Sequence, residues 1–215
     1  MRIVCISDTH SRHRQIKIPD GDVLIHAGDI TEEGEVDTVY DFSIWLTELP
    51  HKHKLVIPGN HDFCFDISHP RYDERARPML ERRRPNIHFL IDAAREIEGL
   101  RFFGTPWVPN LTTWAFFDRG RDKFERAPTD IDVLISHGPP WLVRDREMKH
   151  GIHCGSGHLL RYVQRCPRLR LHVFGHVHEG YGAIPSDPAG HIVVNACSLN
   201  RAYEPVNAPL VIDLE

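Results

Sequence analysis

The amino-acid sequence predicts an α/β protein with a four-layer α/β/β/α sandwich, in which two mixed β-sheets pack face to face between outer helices. Two observations lead to this prediction. In much of the chain, short apolar segments alternate with segments of helical spacing, which is typical of βαβ units and a mainly parallel sheet. Later in the chain, strand candidates lie close together between glycine or proline turns, which favours antiparallel pairing and a second sheet.

Five short segments are the clearest strands. Each is apolar and rich in Val, Ile and Leu, as expected of strands that are buried on both faces of a sheet. The composition therefore indicates sheets that are covered on both sides. The five segments are residues 3–7, 23–27, 54–57, 132–136 and 171–175.

Two segments have the spacing of amphipathic helices. In residues 35–49, apolar side chains recur at helical intervals, and Pro50 ends the segment. A second stripe lies at residues 159–163, before Pro167. The remaining strand candidates belong to the predicted second sheet. They are residues 95–97 and 100–104, around a turn at Gly99, and residues 183–184, 191–195 and 210–214.

Length and composition predict a single domain over residues 1–215. The net charge of -4 argues against a nucleic-acid partner, because nucleic-acid binding relies on basic surfaces. The five cysteines are scattered and include no C-x-x-C pair, which favours reduced thiols over a disulfide framework. No signal peptide precedes the first strand, and no apolar segment is long enough to span a bilayer. We therefore expect a cytoplasmic protein without a membrane partner.

An arginine-rich segment at residues 71–84 interrupts the alternation of strands and helices. A solvated helix or loop is the favoured interpretation. The alternative is a basic lid over an anionic substrate.

Residues of metal-binding types follow all five of the clearest strands. In open α/β sheets, ligands bind in the crevice beyond the carboxyl ends of the strands. Each residue alone has an ordinary explanation as a turn or surface residue. Because that explanation would have to hold independently at five strand ends, the residues together favour a ligand-binding site. The residues are Asp8, His10, Asp29, Asn60, His137, His176 and His178.

The donor atoms of these side chains indicate which metals they suit. Carboxylate, amide and imidazole groups together favour borderline divalent ions such as Mn²⁺, Fe²⁺, Zn²⁺ or Co²⁺. Seven side chains exceed the needs of one four-coordinate zinc, but they suit two ions that share a carboxylate. Paired ions of this kind usually catalyse the hydrolysis of phosphate esters.

The order of these motifs resembles the calcineurin-like metallophosphoesterase superfamily. Within it, residues 136–140 and 172–182 are similar to the small metallophosphoesterase-domain (MPPED) branch. The superfamily motifs are Asp8-Thr9-His10, Gly28-Asp29, Gly59-Asn60-His61-Asp62, His137-Gly138 and Gly175-His176-Val177-His178.

The resemblance implies a role for each motif residue. It implies one metal held by Asp8, His10 and His178, a second held by Asn60, His137 and His176, and Asp29 as the bridge between them. Mn²⁺ is the expected metal, with Fe, Zn, Co or Ni as alternatives. His61 is similar to the general acid of the family, which protonates the leaving oxygen or binds the phosphate. Asp62 is expected to orient a histidine.

The resemblance implies a metal-dependent phosphodiesterase in which a metal-activated hydroxide attacks phosphorus. Small phosphodiesters such as 2′,3′- or 3′,5′-cyclic nucleotides are the expected substrates. A phosphomonoesterase or protein phosphatase on the same centre is an alternative. A further alternative is a non-catalytic module that binds a nucleotide or a protein.

Two other features have open interpretations. The turn Gly155-Ser156-Gly157 could bind phosphate, or Ser156 could simply cap the helix that follows. The aromatic cluster could stack on a nucleobase, although core packing is the favoured interpretation. Its members are Trp107, Trp114, Phe116 and Phe117.

Overall fold

In the computed structural model, which describes residues 1–82, 86–120, 122–185 and 190–215, eleven β-strands form two mixed sheets. The first sheet has the order β11-β1-β2-β3-β4, in which β11 is antiparallel to β1 and the other pairs are parallel. Its strands are β1 (Arg2–Ile6), β2 (Val23–Ala27), β3 (His53–Ile57), β4 (Ile87–Phe89) and β11 (Leu210–Asp213).

The second sheet has a parallel centre and antiparallel edges. Its strands are β5 (Ala93–Ile97), β6 (Leu100–Thr105), β7 (Val133–Ser136), β8 (Leu171–Phe174), β9 (Gly182–Ile184) and β10 (Ile192–Asn195). They occur in the order β5-β6-β7-β8-β10-β9, and only the edge strands β5 and β9 are antiparallel to their neighbours.

Three α-helices cover the outer faces of the sheets in the described part of the chain. They are α1 (Val36–Glu48), α2 (Ala76–Glu81) and α3 (Gly157–Gln164). Short 3-10 helices span His13–Gln15, Phe63–Phe65 and His178–Gly180. None of the α-helices in these described ranges is both long and apolar enough to cross a membrane.

The packing of β1 shows why the protein forms four layers. Successive side chains of a strand point to opposite faces of its sheet. Ile3 and Cys5 are buried between the two sheets, whereas Val4 and Ile6 pack with Phe42 of α1 and its neighbours. The second sheet repeats this arrangement, since its inner side chains meet β1 and β2 while its outer ones pack on α3. The predicted α/β/β/α sandwich is therefore confirmed.

The assignment of strands to sheets differs from the prediction in one respect. The segment at residues 210–214 was expected in the second sheet, but β11 extends the first sheet beside β1. Conversely, β7 and β8 belong to the second sheet, although their sequences look like those of β1 to β3. The reason is that both sheets are buried on both faces, so their central strands have the same apolar composition.

The arginine-rich segment contains α2, in agreement with the favoured interpretation of a solvated helix or loop. Ala76 and Leu80 are buried beside α1, and the charged side chains lie outward. Arg77 pairs with Glu81 within the helix. Other arginines pair with carboxylates nearby, as Arg75 does with Asp73, so they do not form a free basic lid. Arg83 and Arg84, the end of the predicted segment, lie outside the described residues.

Candidate metal centre

The loops that follow β1, β2 and β8 hold predicted metal ligands in an unusual backbone conformation. Asp8, His10, Asp29 and His176 have φ angles of 53°, 39°, 55° and 68°. Positive φ is uncommon for residues other than glycine, and such strain persists only where the surroundings enforce it. The enforcement is visible here, because the backbone N–H of Asp8 donates to Gly28 and that of His10 donates to Asp29, at 2.8 and 3.1 Å. The loops after β1 and β2 therefore hold each other in place.

Two glycines allow the loops to approach the ligands closely. A Cβ atom at Gly59 would lie 2.2 Å from Oδ1 of Asp29, and one at Gly175 would lie 2.0 Å from Oδ2 of Asp8. Side chains cannot pack at such distances. Gly59 and Gly175 thus serve close packing around the carboxylates of Asp29 and Asp8.

Asp29 lies at the centre of the site. Its Oδ2 atom is 3.4 Å from Nε2 of His137, 3.7 Å from Nε2 of His10 and 4.0 Å from Nε2 of His61. Only 2% of the residue is exposed. A carboxylate surrounded in this way is positioned to be shared by two cations.

The first predicted ligand group is brought together. Oxygen or nitrogen atoms of Asp8, His10 and His178 all lie within 4.8 Å of one another. Nε2 of His178 is 3.7 Å from Oδ1 of Asp8. These three side chains can converge on one ion with Asp29 beside them.

The second predicted group also lies beside Asp29, since Nε2 of His137 is 3.4 Å from its Oδ2 atom. Nε2 of His137 is 2.9 Å from Oδ1 of Asn60. The ring of His176 is 5.1 Å from that of His137, and its backbone N–H donates to the carboxylate of Asp8. The structure thus brings all seven predicted ligands to one edge of the sandwich, from both sheets.

Hydrogen bonds to backbone carbonyls orient three histidines of the site. A carbonyl can only accept, so the ring nitrogen beside it carries the proton. Nδ1 of His137 donates to Ala27, and Nδ1 of His178 donates to Asn200, at 2.9 and 3.0 Å. Their Nε2 atoms are left to face the carboxylates, which is how metal-binding histidines are commonly oriented. Nδ1 of His61 donates to the carbonyl of Glu32 in the same manner, at 2.6 Å.

The electrostatics of the site favour the binding of cations. Burial raises the pKa of Asp29, but the charges of His137 and His61 outweigh burial and hold its pKa well below the usual value. Burial opposes the protonation of His137, but the carboxylates of Asp29 and Asp8 raise its pKa to about 9. In the absence of metal, the imidazolium of His137 therefore supplies positive charge to two buried anions.

His10 and His176 are suited to act as neutral ligands. Burial, with a contribution from His137, lowers the pKa of His176 to about 4. Burial also lowers the pKa of His10, whose two ring nitrogens have no hydrogen-bond partner among the residues that the structure describes. A fully buried imidazole without partners is costly, and a metal ion would satisfy it. The donor set therefore fits a pair of divalent cations.

The sequence matches the calcineurin-like phosphoesterase family over residues 1–180. The chain belongs to this family. It is 40% identical over 232 residues to Metallophosphoesterase domain-containing protein 1 of Homo sapiens, covering 99% of this chain and 71% of the human protein. It is 37% identical over 228 residues to a UPF0046 protein of Caenorhabditis elegans, covering 96% of this chain and 79% of that protein. The predicted resemblance to the metallophosphoesterase-domain branch is confirmed.

A more distant relative has a named activity. The 3′,5′-cyclic-nucleotide phosphodiesterase of Nostoc sp. is 21% identical over 163 residues, which cover 76% of this chain and 58% of the Nostoc protein. As a calcineurin-like phosphoesterase, our protein is a metal-dependent hydrolase of phosphoric esters. The family has a centre of two divalent metal ions, and the ligand groups described above fit such a centre.

The structure corrects the expectation for Asp62. Its carboxylate bonds to no histidine among the described residues but accepts hydrogen bonds from the backbone N–H groups of Ile30, Thr31 and Gly59, at 2.8 to 3.1 Å. The hydroxyl of Thr31 is a fourth donor, at 2.8 Å. Burial and the charge of Asp29 raise the pKa of Asp62 to about 6, against the effect of these donors. In this calcineurin-like phosphoesterase, Asp62 joins the loops after β2 and β3 and so positions their ligands.

We expect Asp62→Asn to destabilise the protein by roughly 2–4 kcal/mol, because a buried charge that accepts several hydrogen bonds is replaced by an amide. The amide NH₂ group would face backbone donors. Urea unfolding followed by circular dichroism measures the change. Asp20→Asn, at an exposed aspartate, is the control and should leave the free energy of unfolding unchanged. Equal stability of the two variants would contradict this role of Asp62.

Several residues that support the centre were not predicted from the sequence. The hydroxyl of Ser7 and the thiol of Cys197 both donate to Oδ2 of Asp8. The amide of Asn195 donates to the carbonyl of Val177 at 2.9 Å and so supports the loop of His176 and His178. Ser7 directly follows β1, and Asn195 ends β10, so a position at a strand end was the only signal in the sequence.

The structure shows where the glycine-rich turn and two members of the aromatic cluster lie. The hydroxyl of Ser156 accepts from the backbone N–H of Leu159 at 3.2 Å, which confirms it as the cap of α3. Phe116 is buried in the core, as favoured. Trp114 is half-buried instead, and its ring lies 4.4 Å from that of His61. One member of the aromatic cluster thus belongs to the surroundings of the centre.

Proposed function

We propose that this calcineurin-like phosphoesterase is a phosphodiesterase that hydrolyses small phosphodiesters, such as cyclic nucleotides, with two Mn²⁺ ions. The observation that carries the proposal is the convergence of the ligand side chains around Asp29, with His61 beside them. A non-catalytic module that binds a nucleotide or a protein would not need a histidine whose Nε2 atom is left free next to two metal ions. Nδ1 of His61 is occupied by Glu32, whereas Nε2 faces the site.

In this proposal the ligands divide as the family resemblance implies. Asp29, whose carboxylate lies at the centre of the site, would be shared by the two ions. Two bound cations supply positive charge facing the phosphate and lower the pKa of the attacking water. One ion would be held by Asp8, His10 and His178, and the other by Asn60, His137 and His176.

His61 is positioned to move a proton at Nε2. Its backbone N–H donates to Oδ1 of Asp29 at 2.9 Å, which ties its position to the centre of the site. When doubly protonated, the ring can give the Nε2 proton to the leaving oxygen and keep the Nδ1 proton on the carbonyl of Glu32. The side chain is 18% exposed, so a substrate can reach it. General acid catalysis by His61 follows from this arrangement.

Trp114, whose ring contacts that of His61, also forms part of the wall of a cavity of about 300 Å³, together with Thr113 and Arg119. Neither His61 nor a proposed metal ligand lines this cavity, so it adjoins the centre only through Trp114. The name of the Nostoc relative supports cyclic nucleotides as one class of substrate.

We expect the protein to hydrolyse bis(p-nitrophenyl) phosphate in the presence of Mn²⁺, because the centre needs its cations to bind the phosphate. Chelation should abolish the activity, and added Mn²⁺ should restore it, as measured by the absorbance of nitrophenolate. The rate should exceed that on the monoester p-nitrophenyl phosphate. Preference for the monoester would favour the phosphomonoesterase or protein phosphatase alternative. A folded, metal-loaded protein that is inert on a broad panel of phosphoesters would favour the non-catalytic module.

We also propose that residues 1–215 form one domain, since a single core of side chains joins β1, β2 and β3 to β6, β7 and β8. The cytoplasmic compartment remains a prediction that depends on the unpaired cysteines.

A further inference from the structure

Tyr203 covers one side of the proposed metal centre. It lies in the loop after β10, here called the Tyr203 loop (residues 199–207). Its ring centroid is 4.9 Å from that of His10 and 5.1 Å from that of His178. The residue is 37% exposed, so it borders both the site and solvent. No sequence motif marks this position.

The Tyr203 loop is held by the residues that also orient a ligand. The side-chain oxygen of Asn200 accepts from the backbone N–H groups of Ala202 and Glu204 at 2.9 and 3.0 Å. The backbone carbonyl of Asn200 accepts from Nδ1 of His178 at 3.0 Å. The position of Tyr203 is therefore coupled to the orientation of a ligand to the first ion.

The backbone of Tyr203 is strained. Its φ angle is 59°, in the left-handed region that a bulky side chain rarely adopts. Its backbone N–H donates to the carbonyl of Asn200 at 2.9 Å, so the hydrogen bonds of the loop enforce the conformation. Strain of this kind is concentrated at functional sites, where it fixes a side chain in a required place. Here the strained conformation is the one that puts the ring over His10 and His178.

The hydroxyl of Tyr203 makes no hydrogen bond with any residue that the structure describes. Two other tyrosines use their hydroxyls structurally, since Tyr162 donates to the carbonyl of Pro128 and Tyr181 donates to that of Ala208. A phenol is protonated at neutral pH and can donate. Among the described residues, the hydroxyl of Tyr203 therefore has no acceptor, and it belongs to a ring that contacts two of the proposed ligands.

We propose that Tyr203 is a substrate-binding residue whose hydroxyl donates a hydrogen bond to a phosphoryl oxygen of the phosphodiester. This inference rests on the proposed function. Tyr203 approaches the centre from the side of His10 and His178, whereas His61 approaches from the loop after β3. A phosphodiester bound between them meets the acid on one side and the phenol on the other.

The test is Tyr203→Phe, which keeps the ring over the histidines and removes only the hydroxyl. Because the variant lacks the hydrogen bond to a charged phosphoryl group, its kcat/KM should be about 10- to 100-fold lower than that of the wild type. Inorganic phosphate, as a competitive inhibitor of bis(p-nitrophenyl) phosphate hydrolysis, should bind more weakly by about tenfold. The metal content, measured by atomic emission, should stay at that of the wild type.

Tyr181→Phe is the matched control, because it removes a hydroxyl that donates to the backbone carbonyl of Ala208. Its kcat/KM should equal that of the wild type. Unchanged kinetics and unchanged phosphate affinity in Tyr203→Phe would overturn the inference. An equal loss in both variants would also overturn it, since the effect would then come from the position of the loop.

The two proposals can fail separately. If the metal-loaded wild type hydrolyses no phosphodiester, the proposed function is wrong, and calorimetric titration with inorganic phosphate still compares Tyr203→Phe with the wild type. If hydrolysis occurs but Tyr203→Phe binds phosphate and turns over diesters like the wild type, only the role of Tyr203 is wrong.

Discussion

Asp29→Asn is expected to lose both metal ions and to lower kcat/KM on the order of a thousandfold or more. The substitution keeps the size of the side chain but removes the negative charge that lies within 4.0 Å of Nε2 in His10, His61 and His137. Each predicted ion shares this carboxylate, so neither ion keeps its full donor set. Metal content by atomic emission and turnover of bis(p-nitrophenyl) phosphate measure the two effects in the same sample.

The control for this substitution is Asp41→Asn on α1. Asp41 pairs with Arg14 and His13 at the protein surface, away from the proposed ligands. The control should bind metal and turn over substrate like the wild type. Retention of two ions and full turnover in Asp29→Asn would show that the centre is assigned wrongly.

His61→Gln is expected to keep its metal ions and to lose about 10²- to 10⁴-fold in kcat for substrates with poor leaving groups. Glutamine can still donate to the carbonyl of Glu32, but it has no proton to transfer at the position of Nε2. Leaving groups of low pKa need no proton and should be affected least. A series of aryl and alkyl phosphodiesters would show this as a steeper dependence of log kcat on the pKa of the leaving group.

Two outcomes would contradict the acid role of His61. Equal losses for good and poor leaving groups would indicate that His61 binds the phosphate without transferring a proton. Loss of metal would indicate that His61 is itself a ligand, an arrangement that the spacing of His10, Asp29 and His61 permits, since one atom of each lies within 4.8 Å of the others.

The sequence predicts the central elements of the fold well, because burial on both faces leaves a clear apolar signal. The predicted segments at residues 23–27 and 35–49 correspond to β2 and α1 within one residue at each end. β4 was missed because it is only three residues long and closely follows the arginine-rich segment. α2 was predicted only as one of two alternatives, a solvated helix or a loop, because arginines dominate its segment and only Ala76 and Leu80 are buried.

Most of the candidate site was also predictable from the sequence. Its proposed ligands stand directly after strands, so the local sequence reveals them. Residues such as Cys197 and Asn200 contact the centre from loops distant in the chain, and nothing in their local sequence indicates this. Asp62 was singled out correctly as a member of a motif but given the wrong partner, since its hydrogen bonds depend on how two loops meet.

The proposed donors come from both sheets, with Asp29 following β2 in one and His137 following β7 in the other. The centre therefore lies where the two sheets meet, and bound ions would link one sheet to the other. Any motion that slides one sheet past the other changes the distance between Asp29 and His137. The geometry of the metal centre and the packing of the two sheets against each other would then depend on one another.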